Sequence, residues 1–495
     1  MSSGCSVLIV NYWSREALAQ CLRTIPTEEG PVEVIIVNNS PFERVDDLAG
    51  ETRAPVTVMN NPVNVGFALA VNQAARRASY PFLLLLNPDT RLRPGCLEQL
   101  LKLLADIPAA AAAGPLTHYP DGRLQPTRGK FPGILSSAAH LFQLKRLMPK
   151  DEWVIARGGR LLGGLFAQYR PLEQRSRVDY VSGACLCVRR QAFDRAGGMD
   201  GRFFLFYEEI DLCRRLAEAG GETWFVGDAT AEHEVGHSSA VARQRTAFER
   251  QRSMRLYLRR HGTWWQRTAV FFMQLLAAEL RLARCFCADD RQGIAAELRL
   301  LRWLSGRSGA IPESTVQPDS LPVIISACLL GRNCTYRGDS NFREWTNQPD
   351  APIVWIPVCP EIEGGLSTPR PPAEIQQGDG EAVLDGRAQV RMITGEDVTA
   401  AYIAGAETAV CRALRYNCRL AILKARSPSC SPGMIYDGTH SGALRPGTGV
   451  AAAALRAVGL RVVSDEQAGQ DGIAGLLRSH QQREAATAGL RGRDR

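Results

Sequence analysis

Two groups of residues in this chain suggest chemistry, and the chemistries differ. In the first half, Asn87-Pro88-Asp89-Thr90 follows an apolar run and Glu208-Glu209-Ile210-Asp211 follows Phe204-Leu205-Phe206-Tyr207. In the second half, Cys328, Cys359 and Cys430 each stand where a predicted strand gives way to a loop. Sugar transfer from a nucleotide donor needs a nucleotide pocket, a divalent cation on the diphosphate and a carboxylate that takes the acceptor proton. Asp89 suits Mg2+ or Mn2+, because hard cations prefer carboxylate oxygen. Three converging thiolates can hold three irons of a [4Fe-4S] cluster and leave the fourth open, whereas Zn2+ normally wants a fourth ligand. Taken singly, an Asn-Pro-Asp-Thr is more often a turn and a cysteine a small buried hydrophobe, so the weight rests on context.

The elements that must position these groups read as α/β. Strands at Val7–Val10, Val34–Val37 and Phe82–Leu86 alternate with helices over Glu16–Leu22 and Leu69–Arg77, which predicts a parallel sheet with helices on both faces. Ligands bind beyond the carboxyl ends of such strands. There fall Asn11-Tyr12-Trp13-Ser14, Asn38-Asn39-Ser40 and the Asn87 tetrapeptide, making Asn11, Asn38, Asn39 and Asn87 donor-binding candidates. From Thr246 to Leu304 the pattern becomes long arginine-rich helices. The run Trp264 to Leu276 is broken by Gln266 and Arg267 and falls short of the ~20 apolar residues of a bilayer span. It reads either as an in-plane interfacial helix with paired tryptophans at headgroup level or as a hairpin packed on the first domain. The expected organisation is a transferase domain over 1–245, a helical segment over 246–310, a linker over 311–320, a second smaller α/β domain over 321–466 and a flexible tail over 467–495.

The stretch Asn60-Asn61-Pro62-Val63-Asn64-Val65-Gly66-Phe67-Ala68-Leu69-Ala70-Val71-Asn72, then Asp89, Val181-Ser182-Gly183-Ala184, Phe204 to Arg215, and His233 with Gly236 and Ser238, resembles the rhamnosyltransferase-like branch of family 2 glycosyltransferases. The resemblance runs from about Ser6 to Arg260 and implies a GT-A fold, inversion at the anomeric carbon, a nucleotide-sugar donor and a saccharide or lipid-linked acceptor. It implies that Asp89 binds the metal and His233 completes the metal site, and that Asn64, Gly66, Phe67 and Asn72 belong to the donor pocket. Glu209 stands where relatives usually have an aspartate base. The longer side chain moves the carboxylate by about one C–C bond, while productive geometry tolerates ~0.5 Å, so Glu209 adapts or Asp211 or Glu208 takes the role. Asn38-Asn39 stands where relatives usually read Asp-Asn.

The contexts Ile324-Ile325-Ser326-Ala327-Cys328-Leu329-Leu330-Gly331, Val358-Cys359-Pro360-Glu361, Gly364 to Arg370, Gly395 to Thr399, Lys424 to Ser431 and Ile435 to Gly442 resemble a family whose characterised members are thiouracil desulfidases. The resemblance implies that Cys328, Cys359 and Cys430 hold a [4Fe-4S] cluster whose open iron takes the thiocarbonyl sulfur of a thiolated nucleobase. Glu361 is then the proton-handling or water-activating group and Ser427 orients the base. Cys334 is a further thiol that relatives do not require, and Ser431-Pro432 replaces the usual glycine after the last cysteine.

Length and composition set the outer bounds. At 495 residues the chain exceeds one ordinary core, and 45% hydrophobic with 22% charged residues fits a folded globular protein rather than a collagen-like, disordered or polytopic membrane chain. The net charge of +8, concentrated in arginines between Arg243 and Arg307, points to a local anionic surface rather than to specific nucleic-acid binding. Met1-Ser2-Ser3-Gly4-Cys5 lacks a basic n-region, so the expectation is a cytoplasmic protein, peripheral on the inner membrane face if the helical segment is interfacial. Fourteen cysteines are then reduced thiols, with Cys21 and Cys185 as plain core. The leading expectation is a bifunctional enzyme. One alternative makes the second domain a regulatory or redox-sensing module, and another makes the first a decayed transferase serving as a scaffold.

Overall fold

The computed structural model describes residues 4–40, 43–142, 175–234, 243–288, 290–305, 321–346 and 353–471. Gly236, Ser238, the linker over 311–320 and most of the tail lie outside them. The chain divides into two compact units, the first made of Met1–Asn60 and Gly66–Ser308 and the second of Asn61–Val65 and Gly309–Arg495.

The first unit is built on a ten-stranded sheet. Its main strands are β1 (Cys5–Asn11), β2 (Val32–Asn38), β3 (Val56–Asn60), β4 (Phe82–Leu86), β5 (Thr90–Leu92), β6 (Ala110–His118), β7 (Cys185–Arg189) and β8 (Glu222–His233), in the order β3-β2-β1-β4-β7-β6-β8-β5. Strands β3 to β4 pair in parallel, as their unbroken apolar runs imply. The sheet is nevertheless mixed, because β7 enters antiparallel between β4 and β6 and β5 pairs antiparallel with β8. A strand buried on both faces carries no period that would reveal its direction. Cys21 and Cys185 lie in the core with Val7, Ile9, Leu84 and Leu86.

Helix α1 spans Arg15–Leu22 and α2 spans Phe67–Ala75, the latter starting two residues earlier than its apolar pattern suggests. Gly66 sets that start. Its φ is +82° and an added Cβ would stand 2.6 Å from the Phe204 carbonyl oxygen, so only glycine fits. Helix α3 spans Glu208–Glu218, α4 Arg243–His261, α5 Trp264–Cys287 and α6 Arg291–Leu304. Among the described residues no helix is long and apolar enough to cross a membrane.

The second unit is organised by four parallel strands, β9 (Leu321–Ser326), β10 (Ile353–Val358), β11 (Leu420–Leu423) and β12 (Arg461–Ser464), in the order β10-β9-β11-β12. The short helix α7 (Pro360–Glu363) follows β10, and α8 (Thr399–Arg415) lies against it. Their approach depends on Gly405, where an added Cβ would stand 1.9 Å from the Pro360 carbonyl oxygen. The chain thus spends a glycine inside a helix, at roughly 1 kcal/mol in propensity, to seat the segment that carries Cys359 and Glu361.

Candidate functional sites

In the first unit the polar strand ends form one rim. Asn11 and Asn38 are opposite each other in the β1–β2 register, and Asn38 is opposite Asn60 in β2–β3. Their amides run as a ladder, Asn11 Nδ2 donating to Asn38 Oδ1 at 2.9 Å and Asn38 Nδ2 to Asn60 Oδ1 at 3.0 Å. Asn11 also donates to Glu43 at 2.8 Å, so a carboxylate reaches this rim from a position that carries no motif. Glu43, with Trp13, Ser14 and Arg15, lines a depression of about 490 Å³. Asn39 Nδ2 bonds the Gly66 carbonyl at 3.3 Å, and the Phe67 N–H bonds the Phe204 carbonyl at 2.8 Å, which ties the start of α2 to the segment before α3. Asn72 is engaged elsewhere: its amide makes two bonds, of 2.7 and 2.9 Å, to the backbone of Met199.

Asp89 and His233, 144 positions apart in sequence, meet with Oδ1 and Nε2 3.2 Å apart, and both are buried. The β5–β8 ladder brings them together by setting Thr90 opposite His233. Gln125 Oε1 holds the other ring nitrogen at 3.1 Å, and Asn87 Nδ2 lies 3.4 Å from Nε2. A carboxylate and an imidazole whose far nitrogen is fixed by a second residue form a donor set that fits a divalent cation. Among the described residues no three His, Cys, Asp or Glu side chains converge on one ion. Mg2+ and Mn2+ sites of this kind draw their remaining ligands from diphosphate oxygen and water.

The acidic cluster at the start of α3 has divided roles. Asp211 has no exposed surface, and its carboxylate is held by Arg215 Nε at 2.7 Å and His261 Nε2 at 2.8 Å. Glu209 lies under Gly183, with its Oε2 buried and unpartnered. Burial raises the Glu209 pKa, against the backbone N–H groups of Ile210 and Gly183 that favour its charged form. Glu208 is pushed well up by burial and then by the Glu209 charge. Phe206 and Tyr207, just before the cluster, both have φ of +68°. Left-handed backbone at two consecutive aromatics is strained and persists only where the surroundings enforce it.

Helix α4 supplies that enforcement. Ser253 Oγ donates to the Leu205 carbonyl at 2.9 Å, Arg250 stacks 4.2 Å over Phe206, Tyr257 packs on Tyr207, and His261 bonds Asp211. Arginines that the sequence suggested as an anionic surface are therefore partly structural. Arg255 covers Phe271, and Arg260 pairs with Asp200 at 2.6 Å. Burial works against the Asp200 charge, but Arg202 and Arg260 hold its pKa down at about 2. Helix α5, in contrast, leaves Trp264, Trp265, Phe272, Leu276 and Leu280 each more than half exposed.

In the second unit Cys328 follows β9 and Cys359 follows β10, whose ends are paired through Ser326 and Val358. Cys430 lies in the loop after β11, where the Ser326 hydroxyl favours its thiolate form. Burial raises the Cys430 thiol, with Cys328, Cys359 and Glu361 adding to the shift. The Cys328 thiol is held below its usual value by a hydrogen bond from Cys334 and then one from Asn341, with burial opposing both. Ser427 Oγ accepts from the Ser429 and Cys430 N–H groups at 3.2 and 3.1 Å, and so shapes the loop that presents the third thiol. Ser431, where relatives usually have glycine, is buried and bonds the Met434 carbonyl at 2.6 Å, closing the same loop from the other side. Glu361 is held by Arg370 at 2.5 and 2.8 Å, and Arg370 also bonds the carbonyls of Ser367 and Cys334. Three thiols that follow the ends of neighbouring strands β10, β9 and β11 fit a cluster in which each thiolate has its own iron.

Residues 6–195 match the sequence model of glycosyl transferase family 2, and residues 323–467 match that of 2-thiouracil desulfurase. Over 145 residues the chain is 43% identical to YbbK of Bacillus subtilis, an uncharacterised protein, covering 29% of this chain and 96% of that one. The second unit belongs to the 2-thiouracil desulfurase family, and residues 6–195 are similar to family 2 glycosyltransferases. The fusion enzyme is also 29% identical over 250 residues to the N-acetylglucosaminyl-diphospho-decaprenol L-rhamnosyltransferase of Mycobacterium tuberculosis, covering 48% of this chain and 78% of that one. A solved [4Fe-4S]-dependent thiouracil desulfidase, TudS, shares 39% identity, covering 32% of the fusion enzyme and 99% of that chain, with a TM-score of 0.28. Sequence reasoning named the residues at both sites that sit in motifs. It missed Glu43, Gln125 and His261, which act from distant positions with no local signature, and it assigned no role to Arg370, which ends the Gly364 to Arg370 motif.

Proposed function

We propose that the first unit is an inverting, metal-dependent glycosyltransferase and that the second is a [4Fe-4S]-dependent desulfidase acting on thiolated nucleobases. The meeting of Asp89 and His233 across the β5–β8 ladder carries the first reading. In this reading Asp89 and His233 hold Mg2+ or Mn2+, which when bound neutralises charge on the departing diphosphate. The strand-end rim of Asn11, Asn38, Asn39 and Glu43 receives the nucleotide, with Gly66 and Phe67 closing beside it. Glu209 takes the acceptor hydroxyl proton as that oxygen attacks the anomeric carbon from the face opposite the leaving group. Its raised pKa strengthens it as a base, and Asp211 acts behind it as a positioning residue. The sequence likeness to a rhamnosyltransferase supports a nucleotide-rhamnose donor and a lipid-linked acceptor. The exposed apolar face of α5 supports presentation of that acceptor at an anionic bilayer surface on the inner membrane face.

In the second unit Cys328, Cys359 and Cys430 hold the cluster, which when bound supplies a Lewis-acidic iron to sulfur. Glu361, fixed by Arg370, takes a proton from water as its oxygen adds to the thiocarbonyl carbon. Ser427 orients the base. The net change is water in and hydrogen sulfide out, with carbonyl replacing thiocarbonyl. Family membership and the shared location of the three thiols support this reading. The test is incubation of anaerobically purified enzyme with nucleotide-rhamnose and Mn2+, and separately with 2-thiouracil. Nucleoside diphosphate and sulfide are the expected products, and the absence of either from folded, metal-replete protein overturns the corresponding half.

A further inference from the structure

The proposed function uses three thiols in the second unit, yet four are gathered there. Cys334 lies in the turn after β9, its N–H bonded to the Asp339 carbonyl at 3.1 Å and its carbonyl held by Arg370 Nη2, also at 3.1 Å. Arg370 is itself buried and fixed by Glu361 and Ser367, so the backbone of Cys334 is clamped from both sides. Cys334 packs with Cys328 and Cys359 in one buried cluster with Ile325 and Leu329, and the two neighbouring sulfurs push its thiol pKa up. Cys430 has a different partner, the Ser326 hydroxyl. The two contacts of Cys334 differ as well. Cys359 Sγ donates to the Cys334 carbonyl at 3.6 Å, whereas the neighbouring Cys334 thiol favours the Cys328 thiolate. Cys328, Cys334 and Cys359 are all buried, with 8, 5 and 8% of their surface exposed.

We propose that Cys334 is an oxidation site: in enzyme lacking its cluster, hydrogen peroxide joins Cys334 to Cys328 as a disulfide, and this disulfide blocks iron uptake. Peroxide oxidises one thiol to a sulfenic acid and releases a water; the second sulfur attacks, the S–S bond forms as the S–O bond breaks, and a second water leaves. Two thiols lose two electrons and one peroxide gains them. A sulfur tied to Cys334 cannot also ligate iron, so the oxidised site stays empty until a reductant reopens it. The disulfide follows from the thiol contacts alone. The block on iron uptake rests on the iron–sulfur reading above.

The full chain, stripped of iron and reduced, is treated with hydrogen peroxide, alkylated, and its disulfides mapped by peptide mass spectrometry. Iron uptake is then measured with and without dithiothreitol, for the natural sequence, Cys334→Ser and Cys334→Ala. The expected result is a dominant Cys328–Cys334 peptide and loss of iron uptake that dithiothreitol restores, with both variants keeping uptake after peroxide. Dominance of any other pairing, no disulfide, or equal sensitivity of either variant overturns the proposal. Reduced natural enzyme that forms the disulfide but never binds iron retires the iron–sulfur reading and the block with it, while leaving the oxidation site standing.

Discussion

The two sites sit at the same kind of place, the carboxyl ends of parallel strands, but are held in opposite ways. In the transferase unit the reactive groups already have opposite-charge or polar partners: Asp89 meets His233, and Asp211 meets Arg215 and His261. In the desulfurase unit Glu361 is likewise paired, with Arg370, but Cys328 and Cys359 pack in one cluster with a further thiol, Cys334. A site made of complementary protein groups persists without its ligand, whereas a site made of like groups must open to accept one. The first should therefore tolerate metal removal, and the second should depend on its cluster for both chemistry and protection of its sulfurs.

The largest expected effects come from breaking one site and watching the other. Cys359→Ala should abolish iron binding and sulfide release and leave nucleotide-sugar turnover within about twofold, since the proposed transferase residues include none of the cluster ligands. Asp89→Ala should lower glycosyl transfer by roughly 10³-fold, several kcal/mol of leaving-group stabilisation, with iron content unchanged. A common loss in either variant, with the fold intact by circular dichroism, would erase the contrast.

The next effects sharpen it. Arg215→Ala leaves the wholly buried Asp211 with one partner fewer and should cost about 3–5 kcal/mol of stability in the first unit, read by urea titration. Arg343→Ala, which removes a surface-side partner of Asp465, should cost less because that arginine is more than a third exposed. For pH, Glu209 has a raised pKa and works as its carboxylate. Transfer should therefore rise with pH to a plateau, with a midpoint above the ordinary glutamate value of about 4.3. Glu209→Gln should remove the pH-dependent rise. In the second unit burial pushes Glu363 up to about 7, with Arg412 opposing. A carboxyl raised on folding stabilises most below its unfolded pKa, and that contribution is lost as pH rises through about 7. The second unit should accordingly lose stability between about pH 5 and about pH 8, and Glu363→Gln should flatten that slope. The smallest effect concerns α5: Phe272→Glu should weaken sedimentation with phosphatidylglycerol vesicles by about tenfold without changing turnover of a soluble acceptor.

What was legible in the sequence follows the same division. Apolar runs gave β1, β2, β4 and β9 within a few residues, because strands buried on both faces must be continuously apolar. The direction of β7 was hidden for that very reason. Asp89, His233 and the three cysteines were found through motif context, but their contacts were not, because pairing across 144 residues leaves no local pattern. Helix α4 was read as an arginine-rich segment, and its use as a brace for strained Phe206 and Tyr207 appears only when Ser253, Arg250 and His261 are seen on their partners. Cys334, a thiol that relatives do without, packs in one buried cluster with two of the three proposed cluster ligands. Ser431, noted as a departure from relatives, fills its place with a hydrogen bond that closes the Cys430 loop.

The central claim is that one chain carries two separate, working sites. The most direct test is anaerobic purification of the full chain and of Cys359→Ala, with iron and acid-labile sulfide measured beside Mn2+-dependent nucleotide-sugar turnover on the same samples. The account predicts about four irons per chain and absorbance near 400 nm in the natural sequence, both lost in the variant while turnover persists. Iron-free natural enzyme after reconstitution under reducing conditions, or turnover that falls together with iron, would contradict it.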